Sequence, residues 1–92
     1  MLKIIRTALR MSHASLDDDI VFTINAALLD MSRAGIAIDS IDIEDDSTYD
    51  ALHLKCVEFY CKWIYDYLGK GEAWRSAYEK LRDAMSLCGD YK

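Results

Sequence analysis

Apolar and polar positions alternate along this chain mostly with a helical period. At 100° per residue, Leu2, Ile5 and Leu9, with Ala8 beside them, share one side of a first helix spanning Leu2 to Met11, and Lys3, Arg6 and Arg10 fall on the other. So short a helix is marginal alone and must dock on something. Ser12-His13-Ala14 reads as a connector. Ser15 then sits where an N-cap belongs, with Asp18 at the box position and Asp17 and Asp19 in the first turn, where carboxylates complement the helix dipole. Ile20, Ile24, Ala27, Leu28 and Met31 form the buried face of this second helix through to Ala34, and Gly35 is its stop.

The stretch from Ser47 to Gly69 reads as a third, central helix, capped by Ser47 with Asp50 in the box position and ended by Gly69. It has two apolar stripes. Leu52, Cys56, Phe59, Tyr60, Trp63 and Tyr67 make one; Leu54, Val57, Cys61, Ile64 and Leu68 make the other. Lys55, Glu58, Lys62 and Asp66 share a narrow polar strip, with Glu58–Lys62 and Lys62–Asp66 at ion-pair spacing. A helix apolar over most of its circumference is central to a core or shared with a partner. The second stripe, Leu54, Val57, Cys61, Ile64 and Leu68, with Tyr65, Trp74, Ile41 and Ile43, is the candidate subunit or partner interface.

Gly69-Lys70-Gly71 is a corner rather than a phosphate loop, because no earlier glycine is in place and Glu72 stands where Ser or Thr is needed. A fourth helix follows from Glu72 to Leu87. Trp74, Ala77, Tyr78, Leu81, Ala84 and Met85 form its apolar stripe, continued by Cys88, and Arg75, Glu79, Lys80, Arg82 and Asp83 form a solvated face. Residues 36–46 break the helical pattern: Ile36 and Ile38, then Ile41 and Ile43, alternate as in a strand. A lone strand must pair with another molecule or lie on the core, so this stretch is either a subunit-contact arm or a covering loop. The fold class is all-α, a small four-helix bundle with an extended acidic loop between the second and third helices, and residues 1–92 form one domain.

At 92 residues such a domain has a thin core, yet 52% of its residues are hydrophobic, which points to apolar surface covered by other subunits. The net charge of −5 argues against a protein that grips nucleic acid, though not against one that lets DNA pass. Cys56, Cys61 and Cys88 form no CxxC pair and read as reduced core thiols. Asp17-Asp18-Asp19 cannot converge on a cation, since consecutive helical positions diverge. His13 and His53 have no nucleophile or orienting group that spacing would pair with them. The aromatic cluster of Phe59, Tyr60, Trp63, Tyr65, Tyr67, Trp74 and Tyr78 lies at helical spacing in an acidic chain, which favours packing over base stacking. No catalytic residue, metal or cofactor is expected. Neither a signal peptide nor a membrane span is expected.

The order of features resembles a known family. A short helix ends in Leu9-Arg10-Met11; an acidic cap, Asp17-Asp18-Asp19-Ile20, opens a helix closing on Ser32-Arg33-Ala34-Gly35-Ile36; a helix carrying Leu52, Cys56, Val57 and Tyr60 ends in Tyr65-Asp66-Tyr67 before a glycine corner; Trp74-Arg75-Ser76-Ala77-Tyr78-Glu79-Lys80-Leu81 follows. Outside residues 37–46, this resembles the small all-helical head–tail connector, or adaptor, proteins of tailed bacteriophages. The resemblance implies a structural virion protein at the neck, made in the bacterial host cytoplasm. It implies a homo-oligomeric ring, usually a dodecamer, beneath the portal protein, which extends the DNA channel and meets a tail or stopper protein. DNA would pass without sequence-specific binding. Asp42, Glu44, Asp45 and Asp46 become candidate channel-lining residues if their loop points inward. The alternative is a small acidic phage-encoded inhibitor that mimics DNA charge. It predicts a monomer or dimer with carboxylates spread over one surface.

Overall fold

In a computed structural model the described residues, 1–10, 17–38 and 49–91, hold four α-helices and two 3-10 turns, with no strand among them. The helices are α1 (Leu2–Ala8), α2 (Asp17–Arg33), α3 (Ala51–Ile64) and α4 (Gly71–Leu87); the 3-10 turns are Tyr67–Gly69 and Gly89–Tyr91. α3 is the hub. It packs most extensively on α4, and also on α2 and α1.

The α2 stripe read from sequence is the heart of the core: Ile20, Ile24, Ala27, Leu28 and Met31 are fully buried. Met1, Ile5 and Leu9 of the first segment close over them, and Cys56, Val57 and Cys61 of α3 and Tyr78 and Met85 of α4 complete the cluster. α1 is shorter than its pattern, because Leu9 already caps it and Arg10 turns left-handed at φ 57°. Met11, the connector Ser12–Ala14 and the Ser15 cap lie outside the described residues.

α2 ends in a Schellman motif. The Ile36 amide bonds the Met31 carbonyl and the Gly35 amide bonds that of Ser32, both at 3.1 Å, with Gly35 at φ 102°. The reversal swings Ile36 back into the core beside Met31. Ile38 packs on the same cluster, so this end of the alternating segment is covering chain rather than a strand. The Ala37 amide reaches the Tyr91 carbonyl. Residues 39–48, including Ile41 and Ile43, lie outside the described set.

The central helix is a correction. It does not run unbroken from Ser47 to Gly69. Asp50 is the N-cap: its Oδ1 accepts the Leu52 and His53 amides at 2.9 and 3.0 Å, and its own amide donates to His53 Nδ1 at 3.2 Å. Asp is as strong a cap as Ser, and His53 stands at the position that closes the box. At the other end Asp66 flips to φ 49°, so α3 stops at Ile64 and Gly69 ends the 3-10 turn instead. Asp66 is then free of the expected pairing with Lys62, and its Oδ1 accepts the Gly71 amide at 2.8 Å, capping α4 from across the corner. A Cβ on Gly71 would sit 2.6 Å from that oxygen, so a larger residue there would push the Asp66 carboxylate off the cap.

Cys88 is a second correction. It is exposed, whereas Cys56 and Cys61 are buried, because the chain leaves the helical path just where the stripe would have carried it inward.

Leu28→Ala should cost about 2–5 kcal/mol, since it opens a cavity among fully buried neighbours, whereas Phe22→Ser, on the solvent side of the same helix, should stay within about 0.5 kcal/mol. Urea denaturation of the dilute chain checks both.

Candidate interaction surface

Three tyrosine–carboxylate contacts hold the helices in register and decide which side chains remain outside. Tyr78, fully buried on α4, donates to Asp30 of α2 at 2.5 Å. Arg82 Nη1 reaches the same Oδ2 at 3.0 Å. Tyr65 donates to Asp19 and its hydroxyl lies 3.3 Å from Thr23 Oγ1. Tyr91 donates to Asp50 at 2.6 Å and its ring meets His53 edge-on, 5.2 Å between centroids. Arg82, read from sequence as part of a solvated face, is therefore largely covered and joins two helices; Asp83 takes its Nε at 3.0 Å.

The aromatic cluster is packing between α3 and α4. Tyr60 meets Tyr78 edge-on at 5.1 Å, and Phe59 lies 5.8 Å from Trp74. The expected polar strip is half right: Glu58 bonds both Lys55 and Lys62, at 3.3 and 3.4 Å. The Lys62 ammonium also sits over the Trp74 and Tyr67 rings, 4.5 and 4.8 Å from their centroids.

These contacts sort the expected interface residues. Val57 and Cys61 are enclosed in the subunit's own core and offer a neighbour nothing in this conformation. Leu54 and Trp74 are half-buried, and Trp74 Nε1 donates to the Tyr67 carbonyl at 3.1 Å. Tyr65 is half-buried and engaged with Asp19. Ile64 and Leu68 are exposed, Leu68 to 70%. Leu68 is also left-handed, at φ 58°. That conformation costs a leucine about 1–2 kcal/mol and turns its side chain away from the core. Ile41, Ile43, Asp42, Glu44, Asp45 and Asp46 lie outside the described residues.

Several exposed apolar groups were missed, among them Ile4 of α1 and Leu52 at the start of α3. Phe22 (76% exposed) and Leu29 flank Ala26 and Asn25 in a shallow groove of about 390 Å³ on the solvent side of α2. Leu87, at the end of α4, is 80% exposed. The signal for the α2 pair was present: Phe22 and Leu29 are seven apart, two helical turns, and opposite the Ile20–Ile24 stripe.

Among the described residues no group of three His, Cys, Asp or Glu side chains could hold a metal ion, and no helix is long and apolar enough to cross a membrane. Burial pushes the Cys56 and Cys61 thiols up to about 12, which makes them inert packing groups.

A family model described as phage connector protein matches residues 1–92. The chain belongs to the phage connector protein family, whose role is structural and points to the head–tail connection. No curated protein and no solved structure matches the chain.

The tyrosine contacts set a pH window. Burial and the bond to Asp19 push Tyr65 up to about 12. The bond to Asp50, then burial, does the same for Tyr91. Burial and Asp30 raise Tyr78 further. A raised phenol stabilises the fold fully below its unfolded value of about 10 and loses that contribution as pH climbs through the folded value. Burial, the largest influence on Asp50, opposes its ionisation, but the Tyr91 bond, His53 and the helix amides outweigh it and hold the carboxyl below its usual range. Its contribution is present above about pH 4 and lost on acidification. Stability should therefore be flat between about pH 5 and 9 and fall at both ends. At the alkaline end tyrosinate absorbance should rise together with the loss of helical circular dichroism.

Proposed function

We propose that this chain is a head–tail connector that assembles as a homo-oligomeric ring beneath the portal protein, extends the DNA channel and carries the tail or stopper protein below it. The observation that supports this reading is the set of large apolar side chains left outside a core that is already closed. Ile4, Phe22, Leu29, Leu52, Ile64, Leu68 and Leu87 are exposed although the described helices already enclose a continuous apolar cluster. Apolar surface in excess of what a subunit can cover marks contact with other chains. A ring closes when one face of each subunit meets a different face of the next, and twelve copies is the number that the likeness to adaptor proteins brings with it. The chain then belongs at the virion neck, after synthesis in the host cytoplasm.

Ile64 and Leu68, at the α3–α4 corner, are the residues of the expected interface that are open to a neighbour or to the portal. The acidic balance suits a channel wall, because carboxylates repel phosphate and let DNA slide; Asp42, Glu44, Asp45 and Asp46 are assigned to that wall. A charge-mimicking inhibitor is the weaker reading. Asp19, Asp30, Asp50 and Glu58 bond to other groups of the same chain rather than forming an open array of charge.

Ile64→Asp combined with Leu68→Asp should leave the helical signal intact and lower ring or portal association at least tenfold, read by mass photometry with and without portal. Purified virions should carry the chain at the neck; its absence from intact particles refutes the connector reading. Neutralising the four loop acids together, to Asn and Gln, should slow DNA ejection from particles that still assemble, and unchanged ejection kinetics removes them from the channel wall.

A further inference from the structure

Two unpartnered faces of the subunit complement each other. α1 presents Lys3, Ile4 and Thr7, and Arg10 follows just beyond its end, all exposed. Thr7 is satisfied by the Lys3 carbonyl at 2.9 Å, and neither Lys3 nor Arg10 has a carboxylate partner among the described residues. The outer side of α2 presents Asp18, Phe22, Asn25 and Leu29, at successive steps of four, three and four, which is one helical stripe. Ala26 floors the groove between Phe22 and Leu29. Asp18 is exposed and has no cation partner among the described residues. One face is basic with an isoleucine in it; the other is apolar with a carboxylate at its head.

We propose that the outer face of α1 in one copy docks on the outer face of α2 in the next copy of this chain, with Ile4 against the Phe22–Leu29 groove and the cations toward the Asp18 end. The proposal rests on the ring reading and supplies its contact. Charge segregation selects the pair. The first ten residues hold three of the eleven cations and none of the sixteen carboxylates, which leaves eight cations against sixteen carboxylates, a net −8, on the rest. Copies of so acidic a body repel one another in most orientations. α1 is the segment that presents net positive charge to a neighbour. Nucleic acid fits these faces less well, because the basic strip carries an exposed isoleucine and its complement is an apolar groove headed by a carboxylate. The two faces are different, so the contact is heterologous and propagates around a ring.

The test uses the full chain and two charge variants, Lys3→Glu/Arg10→Glu and Asp18→Lys, in sedimentation velocity at about 0.1 M salt, where surface charge is screened over about 10 Å. Circular dichroism and thermal melts check that each variant keeps the wild-type fold. The wild type should associate, and each variant alone should associate at least tenfold more weakly, since each places like charges across the contact. An equimolar mixture of the two should recover association, because every alternating contact regains opposite signs. Variants that associate like the wild type overturn the docking while leaving the ring reading standing, and so does a mixture that fails to recover. A wild type that stays monomeric at every concentration also overturns it, and the presence of the chain at the virion neck then decides the connector reading separately. Should Lys3→Glu/Arg10→Glu abolish binding of a labelled DNA duplex yet leave self-association unchanged, α1 serves nucleic acid and the docking falls.

Discussion

Tyr78 can be buried in only one way, and much of the architecture follows from it. Its ring is fully enclosed on α4 against Tyr60 of α3, so its hydroxyl must find a partner or cost about 1–3 kcal/mol. Asp30 of α2 is that partner, and it also takes Arg82 one turn further along α4. One carboxylate thus fixes the rotation of α4 and its height against α2. Tyr65 with Asp19 and Thr23 does the same for the far end of α3, and Tyr91 with Asp50 ties the last turn to the start of α3. A chain of this size has too little apolar interior to set helix register by packing alone. Tyrosine supplies a large apolar ring to the thin core and a directional bond at its rim.

The fold was largely legible because the helices are amphipathic. On α2 the five residues of the predicted stripe are all fully buried, and Gly35 ends the helix as its position implied. The corners were less legible. Asp50 and Asp66 were read as a box partner and a surface charge, but each caps a helix. Capping is a competition among neighbouring polar residues, and the backbone path decides it. Arg82 was read as solvated because period alone cannot show that Asp30, fifty-two positions earlier, lies beside it. The candidate surface was half legible for a related reason. Two apolar stripes on α3 implied a helix central to a core or shared with a partner; α1, α2 and α4 pack on it and enclose Cys56, Val57 and Cys61, while Leu52 and Ile64, and Leu68 just beyond it, stay exposed. The second face that does stay open belongs to α2, where a strong inner stripe drew the reading away from Phe22 and Leu29.

What remains outside is therefore informative. A subunit that had merely failed to bury its apolar residues would show gaps among them, yet fifteen hydrophobic residues form a closed cluster and the exposed ones lie apart from it. Leu68 is the sharper case. It sits left-handed between Asp66 and Gly69, the other positive-φ residues of the corner, and a glycine or asparagine would take that conformation at less cost. Backbone strain at an exposed apolar side chain brings no packing benefit within the chain, which supports the proposed contact at this corner.

On the proposed ring reading, folding and assembly would draw on separate sets of residues. The bonds that seal the subunit are intramolecular and joined to buried rings, so the chain can fold before it meets another copy. The open apolar groups are spread over α1, α2, the start of α3, the α3–α4 corner and the end of α4, rather than gathered on one face. A single patch that met its own copy would give a closed dimer; several different faces allow an unlike contact between neighbours and leave surface for other chains above and below. Net negative charge then works as a restraint. In the proposed ring it would keep free subunits apart until the docking geometry brings opposite signs together, and repulsion of that kind adds specificity to assembly.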